Sequence, residues 1–405
     1  MKRFGLRSGD LRGAARLSTD AVLEVTRMVE AMHARIASPL RLGPADSAAA
    51  GRTRGLTGLV YGSVRGVTRL AGRTTQAVLA GLEALLSTAA SDQPTDPDRE
   101  AVLAALNGVL GDHLTATANP LALSMSLRQA GRPLWQTDTP PIPLNIPAKP
   151  QVLILVHGLC MNDLQWQRKG HDHGQALAEA LGYTPVYLHY NTGLAIWRNG
   201  EALSRALELL CAIWPMPVER LVMLGHSMGG LVGRSALHAA AGPHGKRLQW
   251  RSRVSDLICL GSPHLGAPLE RLGHGLEGLL EAAPYASPLA GLARVRSAGI
   301  QDLRQGRILR PGRSTAGRRS RDAMALPEGV QMAVVAACLD HPTGRIKGRL
   351  LGDGLVPVAS ALGHHRLAHR GLGLPPDRQA LVWETSHLDL LSSPAVYDRL
   401  RRWLL

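Results

Sequence analysis

Along the first third of the chain, apolar residues recur every three or four positions, the spacing that lines one face of a helix. Ala21, Val22, Val25, Met28, Val29 and Met32 make such a face, and Ser38 with Pro39 ends it. A second face carries Leu56, Leu59, Val60, Val64, Val67 and Leu70, with Arg65, Arg69 and Arg73 along another side. Residues 77–86 continue the helical spacing. Residues 91–100 form a polar, proline-marked break that also supplies caps for a helix expected over 99–110. Pro133, Pro140, Pro141, Pro143, Pro147 and Pro150 then predict an extended connection.

The pattern changes at Gln151. Residues 152–156 are an unbroken apolar run, as expected of a central parallel strand buried on both faces. Further runs follow at 184–188, 221–224, 254–260, 330–338 and 380–383, with helical patterns at 174–181, 201–214 and 231–241 between them. Strands alternating with helices predict an α/β fold, a doubly wound and mostly parallel sheet preceded by a helical N-terminal region. The expected division is a helical accessory region over 1–130, a proline-rich linker over 131–150 and an α/β domain over 151–405. An insertion at about 268–322 interrupts that domain. Leu272, Leu276, Leu279 and Leu280 give it an apolar stripe that suits either a mobile lid or a fixed cap helix. Arg304, Arg307, Arg310, Arg313, Arg318, Arg319 and Arg321 near its end are expected in a solvated loop.

Composition narrows the classes of partner. The chain has 405 residues but one Phe, six Tyr and seven Trp, so Leu, Val and Ala must fill the core. A formal net charge of +15 favours anionic partners, and the arginine-lined second helix admits peripheral contact with an anionic membrane surface. No aromatic-interleaved basic motif or Cys/His finger spacing points to nucleic acid. Cys160, Cys211, Cys259 and Cys338 lie in or beside apolar runs, which suits buried thiols. The basic N-terminus has no hydrophobic signal core after it, and no apolar stretch approaches the ~20 residues of a membrane span. The expectation is a soluble cytoplasmic protein; oligomeric state is not legible.

Candidate chemistry concentrates at one turn. The run 221–224 meets Gly225-His226-Ser227-Met228-Gly229, and a helical pattern follows directly. A serine on a sharp strand-to-helix turn stands above the sheet, and glycines at 225 and 229 admit backbone where a Cβ would clash. Acyl transfer by serine also needs a base, a carboxylate to orient it, and amide donors for the oxyanion. The first long strand ends in His157-Gly158-Leu159, so the Leu159 and Met228 N–H groups are the expected oxyanion donors. His157, Gly158 and His226 are expected to support the turns. His387, after the last strand, is the expected base; His364, His365 and His369 sit in a loop that reads as solvated. Asp353, flanked by Gly352 and Gly354, is the expected carboxylate, with Asp340 as its rival. His171-Asp172-His173 resembles a metal pair but lacks further ligands at a fitting spacing, so no metal and no cofactor are expected.

From Gln151 onward these motifs resemble the lipase branch of the α/β-hydrolase superfamily, including bacterial triacylglycerol lipases and the α/β domain of GPI-inositol-deacylase-like proteins. His157-Gly158-Leu159, Gly225 to Gly230, residues 261–267, residues 353–357 and His387-Leu388-Asp389 carry the likeness. The resemblance implies hydrolysis of carboxylic esters or lipids, with Ser227 as nucleophile, Asp353 as acid and His387 as base. It also brings in a structural calcium, for which Asp389 has a matching position but no upstream partner carboxylate. Two alternatives stay open: an acyltransferase using the same three residues, and a non-catalytic lipid- or protein-binding module.

Overall fold

The structure is a computed structural model that describes residues 8–36, 65, 70, 96–135, 147–240, 248–267, 297–310, 326, 329–341 and 352–405. The chain forms two compact units. One comprises Met1–Pro94 with Leu114–Ala122, and the other Thr95–His113 with Leu123–Leu405.

The first unit is built on α1 (Ser8–Ile36), which starts earlier than the apolar spacing from Ala21 suggests. Asn119 Nδ2 donates to Gly13 O at 3.1 Å and Arg16 to Ala118 O at 3.2 Å. A methyl on Gly13 would run into Leu121, so the glycine lets the two segments touch. The second basic helix expected around 56–73, and the pattern at 77–86, lie outside the described residues except for Arg65 and Leu70.

The larger unit holds an eight-stranded sheet. Its strands are β1 (Ser126–Gln129), β2 (Arg132–Pro133), β3 (Gln151–Val156), β4 (Thr184–His189), β5 (Arg220–His226), β6 (Val254–Leu260), β7 (Gln331–Cys338) and β8 (Gln379–Trp383). They lie in the order β2-β1-β4-β3-β5-β6-β7-β8. The β1–β2 and β1–β4 pairs are antiparallel and the rest are parallel. This is a doubly wound, mostly parallel α/β sheet, as the alternating pattern predicts. The helices are α2 (Pro97–Ala116), α3 (His173–Leu181), α4 (Ile196–Ile213), α5 (Met228–Ala240), α6 (Ala298–Gln305), α7 (Val358–Ala361) and α8 (Pro394–Leu404).

The apolar runs are continuous because both faces of the sheet are covered. Val152, Ile154 and Val156 pack into one core with Leu203 and Leu207 of α4 and Leu231 of α5. Leu153 and Leu155 point the other way, into a core with Leu177 of α3 and Val396 and Leu400 of α8. Each such side chain, fully buried, contributes roughly 1.5–3 kcal/mol.

The sheet begins earlier than the expected boundary at 131–150. β1 and β2 lie within residues expected to be accessory or linker, and the α2 residues up to His113 belong to the same compact unit. Of the proline-rich stretch, residues 136–146 lie outside the described residues, as do 268–296 and 311–325 of the insertion with its leucine stripe. The described part of the insertion holds α6. There Arg307, expected in a solvated loop, pairs with the buried Asp302 at 3.3 Å, while Arg310 stands 5.0 Å over the Trp197 ring.

Candidate active site

β5 runs straight into α5, and Ser227 is the single residue between them. Its φ is +55°, a left-handed conformation costly for a residue with a Cβ. The neighbouring glycines over-determine it. A Cβ on Gly225 would run into Gly230 N and Cα, and one on Gly229 would run into Val156 O. The Ser227 N–H donates to Leu260 O at 2.8 Å, fixing the turn against the end of β6. The serine is 7% exposed, at the positive end of α5, where Met228 N–H is among the amides with no intrahelical acceptor.

The turn after β3 faces it. A methyl on Gly158 would stand 3.0 Å from Ser227 Cβ, so this turn and the serine are in near contact. Cys160 N–H donates to Thr192 Oγ1 at 3.2 Å and Met161 N–H to Gly158 O at 3.3 Å. Among the described residues the Leu159 N–H between them makes no hydrogen bond. His157 is buried, stacks on Tyr190 at 4.5 Å and donates from Nδ1 to Gly158 O at 2.9 Å. Burial pushes its pKa down to about 3, so the ring is neutral and holds the turn. Tyr190 OH donates to His157 O at 2.8 Å.

Asp353 and His387 meet beyond the ends of β7 and β8. Asp353 Oδ2 accepts from His387 Nδ1 at 2.7 Å, and both residues are buried. Asp353 Oδ1 accepts from Leu355 N–H at 3.0 Å and Val356 N–H at 2.8 Å, while His387 N–H donates to Asp353 O at 3.0 Å. The carboxylate is therefore saturated with donors, and His387 keeps Nε2 for a proton. Gly352 at φ +64° makes this loop, because a side chain there would meet Val356 O. Between this pair and the serine lies Gly261. A methyl on it would stand 3.1 Å from Asp353 Oδ2 and 3.2 Å from His387 Cε1.

His226 connects the parts. It precedes Ser227, donates from Nε2 to His387 O at 3.0 Å, and its ring centroid is 4.7 Å from that of His387. Its Nδ1 would lie 3.2 Å from a methyl on Gly158. Burial first, and the neighbouring His387 second, hold its pKa well below 6.5, so it stays neutral.

The other candidates are placed elsewhere. Asp340 accepts from His341 N–H and makes no contact with His387 among the described bonds. His364, His365 and His369 are exposed. His171 and His173 share a hydrogen bond of 2.8 Å, His173 Nε2 donates to Leu390 O, and Asp172 caps α3. Asp389, where a calcium was weighed, carries Lys169 Nζ at 2.7 Å and accepts from Ser386 Oγ at 2.7 Å. Among the described residues no group of three His, Cys, Asp or Glu side chains could hold a metal. Sequence reasoning missed α2 as a neighbour of the site. A methyl on Gly108 would collide with Cys160 Sγ, and Asn191 Nδ2 donates to Gly111 O at 3.0 Å. The signal was there in the glycines of Asn107-Gly108 and Gly111, which are costly inside a helix unless another backbone approaches closely.

Residues 149–315 match the model of the PGAP1-like alpha/beta domain family, a span with Leu159, Ser227 and Met228 but not Asp353 or His387. Among solved structures, the mature Bacillus licheniformis lipase BlEst2 is 19% identical, with 69% of this chain and 98% of that one covered at a TM-score of 0.43. The metagenomic carboxyl esterase MGS0156 is 18% identical over 79% and 98% of the two chains, at a TM-score of 0.38. Staphylococcus hyicus lipase is 13% identical over 65% and 97%, at 0.37. No curated protein matches the chain. No helix among the described residues is long and apolar enough to cross a membrane.

Proposed function

We propose that this protein is a serine hydrolase that cleaves carboxylic esters through an acyl-enzyme. The observation that carries the reading is the buried Asp353–His387 pair at 2.7 Å, gathered at the same end of the sheet as a serine held at φ +55°. Ser227 Oγ attacks the ester carbonyl while His387 Nε2 takes its proton, and Asp353 holds the imidazole tautomer and balances the imidazolium. The oxyanion is stabilised by the Leu159 and Met228 N–H groups and by the helix end behind Met228. His387 returns the proton to the leaving alkoxide, releasing the alcohol. Water then attacks the acyl-Ser227 ester with His387 as base again, and the carboxylic acid departs.

The test is Ser227→Ala assayed on short p-nitrophenyl esters, with a fluorophosphonate probe on the wild type. The expected result is a loss of about 10⁶ in kcat and probe mass on the peptide containing Ser227. Full activity in Ser227→Ala, or a wild type that takes no probe, overturns the reading.

A further inference from the structure

Next to the site lies a cavity of about 270 Å³. Met161, Leu164 and Arg168 of the loop after β3 form one wall, and Leu388, adjacent to His387, forms another. The third wall is the first turn of α2, with Pro97, Asp98 and Ala101. A methyl on Gly158 would touch both Ser227 Cβ, at 3.0 Å, and Met161 Sδ, at 3.4 Å, so this cavity starts one side chain away from the serine. The helix is fixed there by the buried Glu100. Its carboxylate pairs with Arg128 at 3.1 Å, and Arg128 in turn pairs with Asp163 at 3.2 Å at the start of the same loop. α2 precedes residue 149, where the family match begins, so nothing in that match assigns it a role.

The place of the cavity indicates which part of a substrate it takes. The base must return its proton to the leaving oxygen, so the alcohol half of an ester lies on the His387 side. Its volume of about 270 Å³ has room for a compact organic group, smaller than the drug-sized ligands that fill larger clefts. Its lining bounds the chemistry. Gln167 offers an amide, Asn162 and Gln165 turn their side-chain oxygens to backbone N–H groups of their own loop and keep their NH₂ groups, and Asp98 and Arg168 bring opposite charges that sum to zero. Arg168 Nε is buried with no hydrogen-bond partner, its nearest carboxylate being Asp389 at 4.0 Å. We propose that the first turn of α2 is the specificity wall of the site. It limits the leaving alcohol of an ester to a compact, neutral group that can form hydrogen bonds. This rests on the ester-hydrolase reading above.

Two variants that intrude on the cavity test it, Ala101→Leu from the buried part of the wall and Asp98→Phe from its half-buried rim. Each is assayed on acetate esters of graded alcohols and on methyl esters of graded acyl chains. Both variants are expected to lower the kcat/KM ratio of benzyl to methyl acetate at least tenfold, chiefly through KM. The acyl-chain profile stays parallel to that of the wild type. The wild type is expected to prefer 2-(2-hydroxyethoxy)ethyl acetate to the near-isosteric hexyl acetate. Fluorophosphonate labelling of Ser227 reports whether the site has assembled in each variant. A shift in the acyl profile with the alcohol profile unmoved gives the cavity to the acyl chain and overturns the proposal. So do labelled variants in which neither profile moves. A wild type that neither takes the probe nor cleaves any ester fails the hydrolase reading instead, which keeps the two failures distinct.

Discussion

The turn that carries Ser227 and the loop that carries His387 are held in different ways. The serine turn is fixed by absence: Gly225 and Gly229 leave no room for even a methyl, because Gly230 and Val156 O fill the space. The histidine loop is fixed by polar contacts, through Asp353, His226 and the Lys169–Asp389 pair. Steric fixation is set once the helix packs on the sheet, whereas polar fixation depends on charge and protonation. The serine side should therefore fail by losing the fold, and the histidine side by losing rate.

The sharpest way to probe this contrast is Asp353→Asn, which keeps the shape but favours the wrong imidazole tautomer. A loss of about 10⁴ in kcat on p-nitrophenyl acetate, with a near-native melting temperature, is expected. Acid comes next and acts on both regions. His157 and His173 have pKa values lowered to about 3 and about 4, and those of His226 and His264 lie well below 6.5, all chiefly through burial. The unfolded chain takes up protons on these rings below pH 6.5 and the native state does not. Their contribution to stability is thus present above pH 6.5 and is lost as pH falls toward 4 and below. Each ring adds a slope of up to about 1.4 kcal/mol per pH unit, and urea midpoints across pH 7 to 4.5 measure the sum.

Gly229→Ala should cost about 3 kcal/mol of stability, the upper range for overpacking, and chemical denaturation reads it directly. A variant as stable as the parent would show that the turn is not sterically set. His226→Leu removes a donor and leaves His387 O unsatisfied, a penalty of about 1–3 kcal/mol. Its kcat should fall about tenfold or more with KM little changed, and His226→Gln, which keeps a donor, should recover most of it. Equal losses in both would mean that packing, and not the hydrogen bond, matters. The smallest effect is expected from Lys169→Ala, within about 1 kcal/mol as for exposed ion pairs, and it should shrink further in high salt.

The parts of this structure that could be read from residues are those where burial and backbone sterics act locally. The unbroken run 152–156 implied a strand covered on both faces, and alternate residues do enter two cores. The glycines around Asp353 implied a sharp loop at a strand end, and that loop does reach His387. Strands β1 and β2 were not legible, because Ser126–Gln129 and Arg132–Pro133 carry no apolar alternation and owe their place to antiparallel ladders, β1 with β4 and β2 with β1. The position of α2 over the turn after β3 was missed for a similar reason. Its apolar residues are spread around the helix and mark no single face, and only its glycines betray a neighbour. Arg307 read as solvated and its side chain is 40% exposed, but its pairing with the buried Asp302 depends on tertiary packing that no local pattern announces.

The order of the sheet also bears on synthesis. Once β3 and β4 are paired, β5 adds to the free edge of β3, and β6, β7 and β8 each add to the edge left by the one before, in the order in which a ribosome would deliver them. Ser227 emerges early in that series, and His387 only after its last strand. A nascent chain can therefore display the serine turn for more than a hundred residues of elongation before the Asp353–His387 pair can form. Throughout that interval Ser227 lacks both its proposed base and its proposed orienting carboxylate, so the proposed chemistry awaits the final strand.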